Sequence, residues 1–137
     1  MSEALPLATL PETMQSPRVL VIEDDRHVRS LLCDLLALWG YETDAAADGH
    51  DGLRCLAERA YAAVVTDFKM PGISGLAVAE RVRERTPRTR VIMVTAFAGD
   101  LGPDPVRLGL TVLRKPLDFD RLREAVAGAV AGPAASR

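Results

Sequence analysis

Residues 64–75 read VVTDFKMPGISG, and this stretch places a carboxylate at the end of an apolar run. Residues 64–66 are β-branched and do not alternate with polar residues, which is typical of a strand buried on both faces. Pro71 and Gly72 follow soon after Asp67 and favour a turn. The stretch therefore predicts a buried strand that ends at Asp67, with a tight turn behind it.

Similar apolar runs recur along the chain and alternate with helical patterns. The predicted strands lie at residues 19–22, 41–45, 63–66, 91–94 and 111–114. Between them, apolar residues recur at the three- and four-residue spacing of an amphipathic helix. Strands that alternate with helices indicate βαβ units and a parallel sheet covered on both faces. We therefore expect an α/β fold with a doubly wound five-stranded sheet in the order 2-1-3-4-5.

Several helix ends are also marked in the sequence. Gly40 follows the apolar face that starts at Val28, and glycine is common just past a helix end. Asp25, Ser74 and Asp118 are expected at helix N-termini, where their side chains can accept from free backbone amides. The predicted inward face of the second helix consists of Leu53, Leu56, Ala57 and Ala60.

The segment between the fourth and fifth strands lacks an ordinary helical sequence. Its helix-breaking residues are Gly99, Gly102, Pro103, Pro105 and Gly109. Glycine and proline inside a helix cost about 1 and 3 kcal/mol respectively. We expect a shortened or irregular fourth helix, with at most a short turn or two near 104–108.

Composition limits the classes of function. The chain has 137 residues, 48% of them hydrophobic, and a net charge of −2. This balance fits one globular domain and gives no basic field for nucleic acid or a membrane surface. Arginines are concentrated in residues 81–90, and we interpret them as a solvated helix face and loop. Cys33 and Cys55 lie within helical patterns and are expected to be buried thiols.

The domain boundaries follow from the same patterns. Residues 1–17 contain several prolines and polar residues, and we expect a flexible arm there. The folded domain is expected at 18–130, with a flexible tail at 131–137. No signal peptide or membrane span is recognisable, so we expect a cytoplasmic protein.

Polar residues stand at the ends of four of the predicted strands. Glu23 and Asp24 follow the first strand, Asp67 the third, Thr95 the fourth and Lys115 the fifth. In the order 2-1-3-4-5 these four strands are successive neighbours, so the residues converge on one edge. Clustered carboxylates repel one another, and a hard cation such as Mg²⁺ relieves the repulsion. The lysine and the hydroxyl suit an anionic group carried on a carboxylate.

With these residues placed, the chain resembles the response-regulator receiver domains of two-component signalling. The matching stretches are VLVIEDD, VVTDFKMPGISG, VIMVTA and LRKP, each at the end of a predicted strand. The resemblance spans about residues 18–130. Four such motifs in this order are far more specific than any one of them alone.

The resemblance implies a role for each residue at this edge. Asp67 would accept a phosphoryl group from a phosphohistidine, while Thr95 and Lys115 would contact the phosphoryl oxygens. The implied Mg²⁺ ligands are Asp24, Asp67, the backbone carbonyl of Lys69 and, through a water, Glu23. The bond between Lys115 and Pro116 would be cis, which an X–Pro bond permits at modest cost.

The resemblance also implies partners and limits. The expected donor is a sensor histidine kinase or a phosphotransfer protein, and an unknown downstream protein would receive the signal. We expect no direct contact with nucleic acid or membrane, and a monomer or weak dimer. The protein would catalyse only its own phosphorylation and slow dephosphorylation, and is not expected to be an enzyme for external substrates. A stand-alone receiver and one part of a longer protein both stay open.

Two alternatives compete with the phosphoacceptor function. A degenerate receiver would act as a constitutive protein-binding module, since the fourth-helix region departs from the family pattern. A small Mg²⁺-dependent phosphatase would turn over an external substrate. No acidic residue stands two positions after Asp67, as some aspartyl phosphatases require, and this argues against the phosphatase.

Three positions depart from features that are usual in the family. Val112 stands three residues before Lys115, where an aromatic switch residue is usual, so we expect an altered readout across 97–112. Lys69 and Phe97 flank the site at positions that tune the lifetime of the phosphoryl group. Neither side chain can orient an attacking water as a carboxylate or amide would, so we expect slow self-hydrolysis.

Overall fold

The computed structural model describes residues 16–132, which form a five-stranded sheet between two layers of helices. The strands are β1 Arg18–Ile22, β2 Glu42–Ala46, β3 Ala63–Asp67, β4 Arg90–Thr95 and β5 Thr111–Arg114. The helices are α1 Arg26–Leu38, α2 Gly49–Glu58, α3 Gly75–Arg85, α4 Asp104–Leu108 and α5 Phe119–Ala131. All pairings are parallel in the order β2-β1-β3-β4-β5, which confirms the predicted doubly wound sheet. Most of the predicted arm at 1–17 and of the predicted tail at 131–137 lies outside the described residues.

The central strands bury both of their faces. Along β1, Leu20 and Ile22 join the core beneath α2, α3 and α4, while Val19 and Val21 join the core beneath α1 and α5. All four side chains are fully buried. Covering both faces requires a continuous apolar run, which is the pattern that predicted these strands. Because these strands are packed on both faces, the residues at their carboxyl ends are held in fixed positions.

The predicted helix caps are confirmed. Asp25 accepts hydrogen bonds from the backbone amides of His27 and Val28 at the start of α1, at 2.9 and 3.1 Å. Ser74 accepts from the amide of Ala77, and Asp118 accepts from two amides at the start of α5. These side chains satisfy donors that have no partner within the helix.

The predicted inward face of α2 is only partly right. Ala57 is exposed, and Ala60 lies beyond the end of the helix. The closest approach is instead made by glycine. A Cβ on Gly52 would lie 2.3 Å from the side chain of Ile22. The helix thus sits closer to the sheet than an alanine face would allow.

The segment between β4 and β5 contains a 3₁₀ turn at Ala98–Leu101 and then α4, which has only five residues. Gly109 ends α4 in the left-handed region. This arrangement confirms the expected shortening of the fourth helix. Leu101 is the only buried residue between positions 96 and 112. Leu101 is thus the buried anchor of the segment, while Leu108 and Leu110 pack against the same core and stay partly exposed.

The helices are short compared with the thickness of a bilayer. The longest, α1 and α5, have 13 residues each. A helix needs about 20 apolar residues to cross a membrane. Within residues 16–132 no helix meets the length and apolarity that a crossing requires. The cytoplasmic location stays a prediction.

Candidate functional site

Three carboxylates meet at the carboxyl ends of β1 and β3. Oxygens of Glu23, Asp24 and Asp67 all lie within 4.8 Å of one another. Glu23 is buried and Asp24 is exposed, while the side chain of Asp67 is 11% exposed. The sequence predicted this convergence, and the group can hold a divalent cation.

Glu23 is the most confined member of the carboxylate cluster. Burial raises the pKa of its carboxyl group, and the negative charge of Asp67 acts in the same direction. The backbone amide of Asp25 opposes this by donating a hydrogen bond of 3.0 Å to its Oε2. A cation at the cluster would stabilise the ionised form further.

Lys115 supplies the positive charge at the edge. Its Nζ lies 3.2 Å from each carboxylate oxygen of Asp67. The backbone amide of Lys115 donates to the carbonyl of Thr95 at 2.9 Å, which fixes the start of the β5–α5 loop. The bond to Pro116 is cis, as expected. The lysine thus bridges the fifth strand to the carboxylate at the end of the third.

Thr95 ends β4 as a buried residue, 3% exposed. Its neighbour Val94 pairs with Asp67 in the β3–β4 ladder, so Thr95 stands one position beyond that pair. Its hydroxyl accepts a hydrogen bond of 3.1 Å from the amide of Phe97. The hydroxyl is therefore tied to the segment that follows β4.

The turn after Asp67 depends on two glycines. Gly72 has φ of +78°, a region that side chains with a Cβ rarely adopt. Gly75 donates its amide to the carbonyl of Phe68 at 2.9 Å. A Cβ on Gly75 would lie 2.2 Å from the carbonyl oxygen of Asp67. Sequence reasoning missed this contact, for which the only signal was a glycine directly after the cap residue.

A contact that the sequence did not predict joins the β3–α3 turn to the segment after β4. The Nζ of Lys69 lies 3.4 Å from Oδ2 of Asp100 and 5.3 Å from the ring centroid of Phe97. All three side chains are exposed. The side chain of Lys69 is thus directed to this segment. The role of its backbone carbonyl as a metal ligand stays a prediction.

An apolar cavity of about 290 Å³ opens beside the carboxylates. Its polar wall is formed by Glu23, Asp67 and Lys115, and most of its remaining wall comes from α1 and the β5–α5 loop. Val28 and Leu31 on α1 are 38% and 45% exposed there. Both belong to the apolar face predicted for the first helix, and that face extends beyond the buried core to line this cavity.

The family model of the response regulator receiver domain matches residues 19–127. The chain belongs to this family, and it has the phosphoacceptor role of a receiver in two-component signalling. Receiver domains interact with histidine kinases or phosphotransfer proteins. The degenerate alternative has no support from these comparisons.

Two relatives illustrate the settings in which similar sequences occur. The transcriptional regulatory protein ZraR of Salmonella typhimurium is 34% identical over 115 residues, which are 82% of this chain and 26% of ZraR. The sporulation initiation phosphotransferase F of Bacillus subtilis is 32% identical over 115 residues, 82% of this chain and 93% of that protein. The chain thus spans about a quarter of the first relative and nearly all of the second.

Solved structures agree on the fold. A response regulator receiver domain protein from Clostridium thermocellum has a TM-score of 0.79 and 29% identity, covering 84% of this chain and 94% of that chain. The response regulator TrrA of Thermotoga maritima, in complex with Mg²⁺ and BeF, has a TM-score of 0.74 and 34% identity. That match covers 82% of this chain and 98% of TrrA.

Proposed function

We propose that Asp67 is the phosphoacceptor, and that it takes a phosphoryl group from a phosphohistidine of a sensor histidine kinase or a phosphotransfer protein. The observation that carries the proposal is the contact of Lys115 Nζ with both oxygens of Asp67, at 3.2 Å, beside two further carboxylates. A carboxylate with a purely structural role would not need a lysine and two further carboxylates around it. The functional unit would be the receiver domain at 18–130, with 1–17 and 131–137 outside it.

The proposed reaction moves one phosphoryl group between two nucleophiles. An oxygen of Asp67 attacks the phosphorus, the bond from phosphorus to the histidine nitrogen breaks, and its electron pair stays on that nitrogen. An acyl phosphate forms on Asp67, a known kind of covalent intermediate. Lys115 offsets charge on the transferring oxygens, and the Thr95 hydroxyl donates to one of them. The protein mainly supplies position and charge, which is what phosphoryl transfer needs.

The residues of the carboxylate cluster fit Mg²⁺. Mg²⁺ prefers oxygen ligands, and carboxylates are among those it commonly uses. Three carboxylate oxygens within 4.8 Å of one another would hold one such ion after a small movement. Asp24 and Asp67 would bind the ion directly, with the Lys69 carbonyl, and Glu23 through a water. The ion would neutralise charge on the phosphoryl oxygens, and TrrA, a relative, is described with Mg²⁺ and BeF bound.

The donor protein is proposed to dock over the apolar cavity beside Asp67. Val28, Leu31 and Phe119 are large apolar side chains that stay 38–45% exposed around it. A histidine must come within bonding distance of Asp67, so the docking surface has to adjoin this residue. Exposed apolar side chains at that place favour a protein partner. The signal would then pass to a downstream protein through altered contacts.

Slow self-hydrolysis is part of the proposal. Release of the phosphoryl group requires a water aligned for attack, and a carboxylate or amide near the site can hold such a water. Lys69 is instead engaged by Asp100 and Phe97. The protein would thus catalyse its own phosphorylation and only slow dephosphorylation, with no external substrate.

The test is phosphotransfer to the whole chain from candidate histidine kinases, with acetyl phosphate as a second donor. We expect Mg²⁺-dependent labelling that Asp67→Asn abolishes. Asp100→Asn is the matched control, because it removes the same charge at an exposed position outside the carboxylate cluster. Full labelling of Asp67→Asn, or labelling unaffected by a chelator, would overturn the assignment.

A further inference from the structure

A second groove lies between α2 and α3, and the proposed phosphotransfer makes no use of it. It has a volume of about 290 Å³. Leucine and valine side chains, Leu53, Leu56 and Val82, contribute its apolar surface. Among residues 16–132, its charged lining consists of Arg54, Arg81 and Arg85 and includes no acidic residue.

The charge around this groove is opposite in sign to that of the molecule. The described residues that line it include three arginines and no acidic residue, a local charge of +3, whereas the whole chain carries −2. Arg81 and Arg85 are exposed, and within residues 16–132 neither forms an ion pair. Arg54 does pair, with Asp51. Two cations therefore stand beside apolar surface without an ion-pair partner in the described part of the chain.

We propose that the α2–α3 groove is a docking site for an acidic amphipathic helix of a partner protein. Apolar side chains along one face of the helix would enter between the leucines and the valine. Carboxylates beside them would pair with Arg81 and Arg85. This is the helix-in-groove mode of recognition, with charge complementarity selecting acidic sequences.

A helix fits this surface better than a nucleic acid does. Apolar side chains form part of the groove lining, and among residues 16–132 no aromatic residue lines it, so bases would have no stacking platform. The net charge of −2 also opposes a polyanion as a whole, while a short acidic helix interacts mainly with the local positive charge. The proposal therefore commits to a protein segment.

The position of the groove makes the proposed partner compatible with the phosphodonor. Helices α2 and α3 cover one face of the sheet, whereas α1 and α5 cover the other. The cavity beside Asp67 is lined from α1 and the β5–α5 loop. A helix in the α2–α3 groove would leave that cavity open, so the two partners can be bound at once. The partner helix would thus stay bound in the α2–α3 groove in both the phosphorylated and the unphosphorylated state of this protein.

The test is an NMR titration of the isotopically labelled 137-residue chain at physiological ionic strength. The probe is a synthetic peptide with leucines at helical spacing and glutamates on the adjoining positions. We expect saturable shifts in residues of α2 and α3. A peptide of the same composition with scrambled order should produce none, because it cannot present one apolar face.

Two pairs of variants test the site itself. Arg85→Glu should weaken peptide binding about tenfold, whereas Arg88→Glu, an equal charge change outside the groove, should leave it nearly unchanged. Ala57→Glu places a carboxylate on an exposed position of the groove wall and should weaken binding, while Ala57→Gln should not. Circular dichroism of each variant serves as the control for folding.

Three outcomes would overturn the proposal. Equal weakening by Arg85→Glu and Arg88→Glu would mean unspecific attraction to positive charge. Shifts confined to α1 and the β5–α5 loop would assign the peptide to the other cavity. Shifts in α2 and α3 with a double-stranded oligonucleotide, but none with the peptide, would make the surface a nucleic-acid site.

Discussion

The sheet edge around Asp67 and the neighbouring segment at 97–112 differ in how tightly their residues are packed. The edge stands on strands whose side chains are buried on both faces, and the turn behind it packs Gly75 against the Asp67 carbonyl. The segment has a 3₁₀ turn, a five-residue helix and one buried anchor, Leu101. Phosphoryl transfer needs fixed positions, whereas a protein contact that reports it can be made in many ways. The first region is fixed by packing on both sides, and the second has one buried side chain between positions 96 and 112.

Adding one methyl group to each region is expected to give the largest difference in stability between the two. Gly75→Ala should lower the free energy of unfolding by about 1–3 kcal/mol, because its Cβ would meet the Asp67 carbonyl and Met93 at 2.2 and 2.8 Å. Gly99→Ala should change it by about 0.5 kcal/mol or less, since no atom of the described residues lies within 4 Å of its added Cβ. Urea unfolding of both variants measures the contrast. Equal losses would mean that the two regions are packed alike.

The second expected effect is the response of stability to Mg²⁺. At tenfold excess over its dissociation constant the ion should add about 1.4 kcal/mol, seen as a higher Tm. Asp24→Asn should remove this response. Asp25→Asn is the matched control: it removes the same charge one residue further, and asparagine also caps a helix. A Tm response to Mg²⁺ that survives Asp24→Asn would place the ion elsewhere.

Hydrogen exchange with and without beryllofluoride tests whether the second region responds to the first. The Thr95 hydroxyl accepts from the Phe97 amide at 3.1 Å. If that hydroxyl turns to the phosphoryl analogue, the amide loses its partner, and exchange should change severalfold across 97–102. Unchanged exchange across all of 97–112 would mean that this segment does not carry the signal. Val112 would then have no part in a readout.

The smallest effect is expected from the ion pair that joins the two regions. Lys69 and Asp100 are 66% and 52% exposed, so Asp100→Asn should cost about 0.5 kcal/mol or less. Its effect should be local, with faster hydrogen exchange at 98–101 and little change in phosphotransfer. A large loss of stability would show that this exposed pair is coupled to the core.

The sequence predicted the parts of the fold that depend on local pattern. Apolar runs predicted the strands, and short polar side chains predicted the helix caps. Glycines and prolines predicted the shortened α4. The grouping of Glu23, Asp24, Asp67 and Lys115 followed once the strand order was assumed. These features repeat physical rules that act over a few residues or through the topology of parallel sheets.

Contacts between distant segments were not predictable in the same way. Gly52 approaches Ile22, and Gly75 approaches the carbonyl of Asp67, because two elements pack at a distance that the sequence does not encode locally. The pair of Lys69 and Asp100 likewise depends on how two loops meet. In α1 the apolar stripe was wider than the face that the core covers, which left Leu31 at the surface.

The open space around the glycines of the second region has a practical consequence. Within residues 16–132, a Cβ on Gly99 or Gly102 meets nothing within 4 Å, although Gly102 itself needs its positive φ of 54°. Exposed loop tips of this kind accept inserted sequence without disturbing a core. A fluorescent reporter inserted between Gly102 and Pro103 would lie in the segment that begins at the hydrogen bond between the Phe97 amide and the Thr95 hydroxyl. Phosphorylation would then be detected in a living cell as a change in the fluorescence of the reporter.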